Sequence, residues 1–334
     1  MLAFITWTAD PIIAHLGPLT LRWYGLLFMS GFVIGTFVLS HIYKSERVSP
    51  RWVDVITIYM LIGTVVGARL GHCLFYDPQY YLAHPLDILK IWEGGLASHG
   101  ATIGILLACW LFARNNKFDY LWVLDRIVIV VAIGGALIRL GNLMNSEIVG
   151  QPTDKPWAFV FPRDTEHLQP AQSGQPLPAG AVFVETTRQP DGSLTVATHP
   201  ASYTPTATTK IAVPRHPTQL YESLFCIALL IVLYTMWNRT KERTPRGQLF
   251  GLFVVLLFTQ RFLGEYLKED QGDWDRKMLA ITHMNLGQLL SLPLILVGIW
   301  VLIRAGKNPD NPYGYAPRDL EDDVPQPNKA ISAK

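Results

Sequence analysis

The chain has 334 residues, half of them apolar and only 16% charged, against about 25% charged in an ordinary soluble domain. That composition excludes an ordinary soluble globular protein, and a net charge of +2 gives no reason to expect a nucleic-acid partner. The three cysteines, Cys73, Cys109 and Cys226, each sit in an apolar segment, as core fillers rather than a disulfide framework or a zinc site.

Residues 1–20 lack a basic leader region and include Pro11, Gly17 and Pro18, so no cleavable signal peptide is expected and the segment is read as extracytoplasmic. Crossing hydrocarbon takes about 20 apolar residues. Runs of that order fall at 21–42, 53–75, 97–113, 121–141, 218–237, 247–267 and 286–303. The third is the shortest and opens on glycines and His99. Lys44, Arg47 and Arg51 follow the first run, Arg114 and Lys117 the third, and Arg239, Lys241, Arg243 and Arg246 the fifth. Basic residues concentrate on the cytoplasmic side, which predicts the N-terminus outside and the C-terminus inside. Lys268, Arg276 and Lys277 run against that trend among acidic neighbours. Glycines at four-residue spacing (Gly63, Gly67 and Gly71; Gly31 and Gly35; Gly100 and Gly104) predict close helix contacts.

Residues 151–215 are rich in Pro, Thr, Gln and Gly. Within them, alternating β-formers at 181–187 and 193–198 flank Pro190-Asp-Gly192, the pattern of a hairpin. The expected architecture is an all-α polytopic membrane protein of about seven transmembrane helices with a small extracytoplasmic head. Its parts are 1–20 outside, 21–150 with helices one to four and re-entrant or interfacial polar segments, 151–215 as the head, 216–304 with helices five to seven, and a disordered cytoplasmic tail at 305–334.

This topology assigns a level to each intramembrane polar residue. Trp23 and Tyr24 open the first span, Arg69 and His72 close the second, and Ser98 and His99 open the third. Arg139, Asn142, Asn145 and Glu147 close the fourth; His216-Pro-Thr-Gln-Leu-Tyr221-Glu222 opens the fifth. Arg261 and Glu265 close the sixth, and Asn285 and Gln288 open the seventh. All reach the outer level, and the inner ends are expected to carry only ordinary flanking charges. Each residue has a structural reading of its own. Trp23 and Tyr24 suit an interfacial aromatic belt, Arg261 and Glu265 an i,i+4 pair, and Asn142 and Asn145 helix–helix hydrogen bonds. His216 before Pro217 suits a helix start, His99 a packing role, and Arg69 a pair or a snorkelling side chain. Independent structural roles would scatter over both faces; convergence on one face indicates a site. Arginines beside amides and a histidine hold anions, with guanidinium forks matched to phosphate. At that depth the anions are phospholipid headgroups.

The motifs carry a resemblance. Arg139-Leu-Gly-Asn-Leu-Met-Asn-Ser-Glu-Ile-Val-Gly150 resembles the arginine-asparagine-glutamate motif of the bacterial prolipoprotein diacylglyceryl transferases. Leu21-Arg-Trp-Tyr-Gly25, Gly67-Ala-Arg-Leu-Gly71, Gly94-Gly-Leu-Ala-Ser-His-Gly100, the His216–Glu222 run, Arg261-Phe-Leu-Gly-Glu265 and Gly287-Gln288 follow in the family's order over 20–304. The resemblance implies seven membrane helices in the bacterial cytoplasmic membrane. It also implies transfer of a diacylglyceryl group from phosphatidylglycerol to the lipobox cysteine of a prolipoprotein, releasing glycerol phosphate. There are two departures: Leu257 stands where the family commonly has a tyrosine, with Tyr24 or Tyr221 as possible substitutes, and 151–215 is longer than the family's usual connection. Under this reading the catalytic residues are His99 as thiol base and Arg139 and Arg261 as phosphate holders. Tyr24, Asn142, Asn145, Glu147, Gly150, Glu265, Gln288, His216 and Tyr221 join Arg139 in binding substrate. No metal and no cofactor is expected. The rival readings are an outward-facing phospholipid or anion transporter or flippase, and a different phospholipid-using transferase.

Overall fold

The computed structural model describes residues 4–17, 19–90, 95, 97–171, 177–189, 193–269 and 284–307. The turn tripeptide at 190–192, Arg276, Lys277 and the expected tail beyond residue 307 lie outside the described residues. Long helices dominate: α1 Trp23–Ser45, α2 Arg51–Phe75, α4 Ser98–Asn116, α5 Tyr120–Met144, α6 Thr218–Thr240, α7 Gln248–Gly264 and α8 Leu286–Lys307. The short α3, Pro78–Ala83, and a 3-10 turn, Pro85–Leu89, lie between α2 and α4. Among the described residues six helices, all of these long ones except α4, are long and apolar enough to cross a membrane. α4 has 19 residues, but Ser98, His99 and Thr102 dilute its first turns, and Arg114, Asn115 and Asn116 its last.

The chain divides into two compact units. The first comprises Met1–Gly31, Ala132–Leu229 and Val254–Leu296; the second comprises Phe32–Val131, Leu230–Phe253 and Val297–Lys334. In the second unit α2 and α4 meet along a glycine seam. A Cβ on Gly100 would stand 2.1 Å from the Gly67 carbonyl oxygen, and one on Gly104 2.0 Å from that of Gly63. Only small residues permit such an approach, so the glycine spacing was a packing signal.

The second unit also corrects an expectation. The helix ends expected to be inner do not carry only flanking charges, because Glu46, Asp125 and Arg126 are buried. Arg126 Nη2 donates to Glu46 at 2.9 Å, and the Trp122 and Trp237 indoles donate to the same carboxylate at 3.1 and 2.5 Å. Asp125 accepts the backbone N–H of Gly247 at 2.7 Å and of Phe250 at 2.9 Å. Charges survive burial when paired and hydrogen-bonded in this way.

The first unit holds the strands: β1 Ile5–Thr6, β2 Ile12–Leu16, β3 Leu19–Arg22, β4 Phe159–Val160, β5 Gln169–Pro170, β6 Val182–Arg188, β7 Leu194–His199, β8 Lys210–Ala212 and β9 Pro214–Arg215. They form sheets in the orders β1-β4-β9, β2-β3 and β5-β8-β6-β7. β6 and β7 run antiparallel, with Val184 opposite Thr198 and Thr186 opposite Val196. Val160, Val184 and Ala212 make one small core under them; Leu143, Val149, Phe159 and Phe161 make a second that reaches the end of α5.

Candidate functional site

The site is built from the end of α5. Its last turn closes through the Asn145 N–H to the Gly141 oxygen at 3.1 Å and the Glu147 N–H to the Asn142 oxygen at 3.0 Å. The chain then leaves the helix through Ser146 and Ile148, both with positive φ, 55° and 57°. Left-handed residues commonly end helices, and here they turn Glu147 back over the helix it has just left. Asn142 Nδ2 and Asn145 Nδ2 donate to the two Glu147 oxygens at 3.3 and 3.1 Å. Gln219 at the start of α6 donates to the Glu147 carbonyl at 2.6 Å, and Thr218 to that of Ile148 at 2.7 Å.

An alternating row of charges continues from this turn. Arg139 Nε lies 2.5 Å from Glu222 Oε2, and Lys268 Nζ lies 2.5 Å from Glu222 Oε1. Lys268 is 3.4 Å from Glu265 Oε1, which stands 4.0 Å from Arg261 Nη2. The row therefore reads Arg139, Glu222, Lys268, Glu265, Arg261. Its two guanidinium side chains keep 22% and 33% of their exposure, while Lys268 is buried. α8 supports the far end: Asn285 Nδ2 donates to Glu265 Oε2 at 3.1 Å, and Gln288 Nε2 reaches the Phe262 carbonyl at 3.4 Å. A Cβ on Gly287 would stand 2.8 Å from Glu265 Cδ, so this carboxylate rests against bare backbone.

Two further contacts frame the row. Tyr24 packs so closely on α5 that a Cβ on Gly141 would stand 2.8 Å from its Cδ2. Gly150 donates its N–H to the His216 carbonyl at 2.9 Å and accepts from Arg215 at 3.1 Å. A side chain there would stand 2.6 Å from His216 Cβ and 2.7 Å from the Leu267 oxygen, so Gly150 is where three stretches of backbone meet. Beside it, His216 Nδ1 and the Tyr221 hydroxyl are 3.1 Å apart, and Trp157 Nε1 donates to the same hydroxyl at 2.8 Å. Burial, and then the Lys155 ammonium, lower the His216 pKa from its ordinary 6.5. The neutral ring can thus accept from Tyr221.

The structure places Tyr24, Arg139, Asn142, Asn145, Glu147, Gly150, His216, Tyr221, Arg261, Glu265 and Gln288 in the first unit, and His99 in the second. His99 is the second residue of α4 and is exposed. Two members of the charge row, Glu222 and Lys268, were not among the sequence candidates. Glu222 was visible in the motif that opens α6, and Lys268 stood three residues beyond Glu265, where it looked like a stray positive charge. Among the described residues Asn145 Oδ1, Ser146 Oγ and Gln219 Oε1 are buried without a hydrogen-bond partner. Buried polar atoms are normally paired, so the α5 exit offers acceptors to an incoming polar group. Two half-open guanidiniums and a lysine amid amides suit an anion.

Comparison with known proteins gives a family for the chain. The family model described as prolipoprotein diacylglyceryl transferase matches residues 11–304. A phosphatidylglycerol–prolipoprotein diacylglyceryl transferase of Porphyromonas gingivalis is 41% identical over 312 residues, 92% of this chain and 96% of its own length. Its counterpart in Tolumonas auensis is 42% identical over 304 residues, covering 90% and 97%. One from Bacteroides fragilis is 33% identical over 319 residues, covering 92% and 97%.

Proposed function

The chain belongs to the prolipoprotein diacylglyceryl transferase family, and from that premise we propose how its residues carry the reaction. It is a multi-pass protein of the bacterial inner membrane. It transfers the diacylglyceryl group of phosphatidylglycerol to the cysteine thiol of a prolipoprotein, the first step of lipoprotein maturation. In our reading α4 is a seventh span, the N-terminus is outside and the C-terminus cytoplasmic. Residues 151–215 form an extracytoplasmic head with a hairpin at β6–β7, carried between spans 21–150 and 216–304.

The thiolate sulfur attacks the glyceryl carbon; the carbon–sulfur bond forms as the carbon–oxygen bond to phosphate breaks. The electron pair stays on the departing phosphate oxygen, and glycerol phosphate leaves. Arg139 and Arg261 hold the phosphate and stabilise that charge, each preorganised donor being worth on the order of 3 kcal/mol in a water-poor site. Glu222, Lys268 and Glu265 set the two arginines, and Glu147, held by Asn142 and Asn145, orients the headgroup. Tyr24, Gln288, Tyr221, His216 and the Gly150 backbone complete the binding surface. His99 takes the thiol proton, since a free thiol with pKa near 8.5 is only slightly ionised at neutrality.

The observation that carries this reading is the row of alternating charges with a half-open guanidinium at each end. Its test is Arg139→Ala, assayed with phosphatidylglycerol and a lipobox peptide while insertion is followed separately. Transfer is expected to be lost with the protein still inserted; near-normal transfer would refute the phosphate role.

A further inference from the structure

The four-stranded sheet of the first unit treats its two edges differently. β5 at one edge is only the pair Gln169–Pro170, whereas β7 at the other is the six-residue strand Leu194–His199. A short edge ending on proline has little ladder left to offer, which is how sheets commonly avoid pairing with another chain. β7 has none of these devices. It carries no Lys, Arg, Asp, Glu, Pro or Gly, and His199 is engaged beside the sheet, its ring stacked on Tyr203 at 4.0 Å. Thr195, Ala197 and Thr198 are exposed, and none is bulky enough to cover the backbone.

The register fixes which backbone groups are on offer. Gln189 donates its N–H to the Ser193 oxygen at 2.9 Å, and bonded pairs alternate with non-bonded ones along an antiparallel ladder. Thr187 therefore exchanges bonds with Thr195, Glu185 with Ala197 and Phe183 with His199. The N–H and C=O groups of Leu194, Val196 and Thr198 point the other way, off the edge. Arg163 marks that direction, its Nη1 donating to the Leu194 oxygen at 2.9 Å while Nη2 holds Asp10. Among the described residues no backbone hydrogen bond to Val196 or Thr198 comes from outside the sheet.

The sheet is also tied to the place where the charge row begins. Val160 packs with Val184 and Ala212, and Val196 lies against them; its chain neighbours Phe159 and Phe161 pack with Leu143 at the end of α5. β4 thus separates two side-chain layers, with the α5 exit beyond one and the sheet beyond the other. At about 10 Å a layer the sheet stands about 20 Å from the exit, a distance crossed by about six extended residues.

We infer that the β7 edge receives the acceptor polypeptide: an extended stretch of the prolipoprotein, several residues past its cysteine, pairs with Val196 and Thr198 as an added strand. Strand addition draws its affinity from main-chain hydrogen bonds, so it serves acceptors whose side chains differ. The inference rests on the transfer reading, which brings a polypeptide to this unit.

The test uses the full chain in lipid nanodiscs with phosphatidylglycerol and two lipobox peptides, one ending about two residues after its cysteine and one running about fifteen further. The long peptide is expected to have a KM about tenfold lower, the worth of about two backbone hydrogen bonds. Thr198→Pro removes an outward N–H and leaves the ladder to β6 intact; it is expected to erase that advantage, with kcat and the short peptide unaffected. Equal KM values for the two peptides, or an equal loss on both in the variant, overturns the inference. Absence of transfer to either peptide overturns the transfer reading instead. If Thr198→Pro does not fold, Thr198→Lys carries the same test, because an edge lysine opposes strand pairing. A long peptide with serine for its cysteine is expected to slow amide exchange at Val196 and Thr198 by about tenfold. Unchanged exchange overturns the inference, as does protection that grows with protein concentration in the absence of peptide, which gives the edge to a second copy of this chain.

Discussion

Two groups of buried charge use the same residue types to opposite ends. In the second unit, Arg126 and Glu46 are fully enclosed, and two indoles donate to the same carboxylate. In the first unit, five charged side chains alternate in a row whose terminal guanidiniums remain partly open. Saturation separates the two. A pair whose donors and acceptors are all used has no capacity for a ligand and serves as a structural pin. A row that ends in partly open cations, beside unpaired buried acceptors, keeps capacity for a ligand.

Breaking each group in turn sharpens the contrast. Glu46→Ala leaves Arg126 buried without its carboxylate, a loss of about 3–5 kcal/mol. A marked fall in the thermal unfolding midpoint in detergent is expected, with transfer per folded molecule preserved. Arg261→Ala should do the reverse. A loss on the order of 3 kcal/mol of transition-state stabilisation lowers kcat/KM more than a hundredfold, while the unfolding midpoint barely moves. If Arg261→Ala unfolds the protein and Glu46→Ala spoils only catalysis, the distinction fails.

Lys268 lies between these extremes, being as buried as the structural pair yet placed between the two arginines. Lys268→Met leaves Glu222 and Glu265 without their shared cation, at a cost of about 2 kcal/mol, or roughly thirtyfold in kcat/KM. Lys268→Arg, which keeps the charge, is expected to restore most of that. A purely structural lysine would move the unfolding midpoint and leave kinetics of the folded fraction unchanged.

How much of this was legible depended on distance along the chain. Apolar runs mark membrane helices locally, and the positions of α1, α2 and α5 through α8 could be read directly. That Arg139, Asn142, Glu147, Arg261 and Glu265 stand near or just beyond helix ends followed from where each run ended. Burial of Glu46 and Arg126 was not legible, because the partners stand 80 residues apart and each alone resembles a flanking charge. Arg69 was ambiguous for the same reason; its acceptors are backbone carbonyls, which every sequence supplies. Lys268 could be read only as a charge running against the topological trend, since only the fold brings Glu222 to it. α4 fell short on composition, its glycines and polar ends serving contact with α2 and diluting its apolar signal.

The smallest expected effect concerns a third arrangement, in the head, where a carboxylate is satisfied by neutral donors. Glu185 Oε1 accepts from the Tyr203 hydroxyl at 2.9 Å, from Thr209 at 3.0 Å and from Thr206 at 3.1 Å. The Tyr203 bond first, then the Thr209 bond, hold its pKa below the ordinary 4.5. A depressed carboxylate stabilises the fold above its unfolded pKa and loses that contribution as pH falls through the folded value. Hydrogen-exchange protection of β6 and β7 is therefore expected to weaken from about pH 4.5 downward, and Glu185→Gln should flatten the dependence. Because the group is solvent-screened the change is small, and the charge row in the other sheetless part of the same unit should show no matching step. A head that loses protection at the same pH in Glu185→Gln would assign the sensitivity to another carboxylate, with Asp164, whose pKa burial raises, excluded by sign: its contribution falls as pH rises.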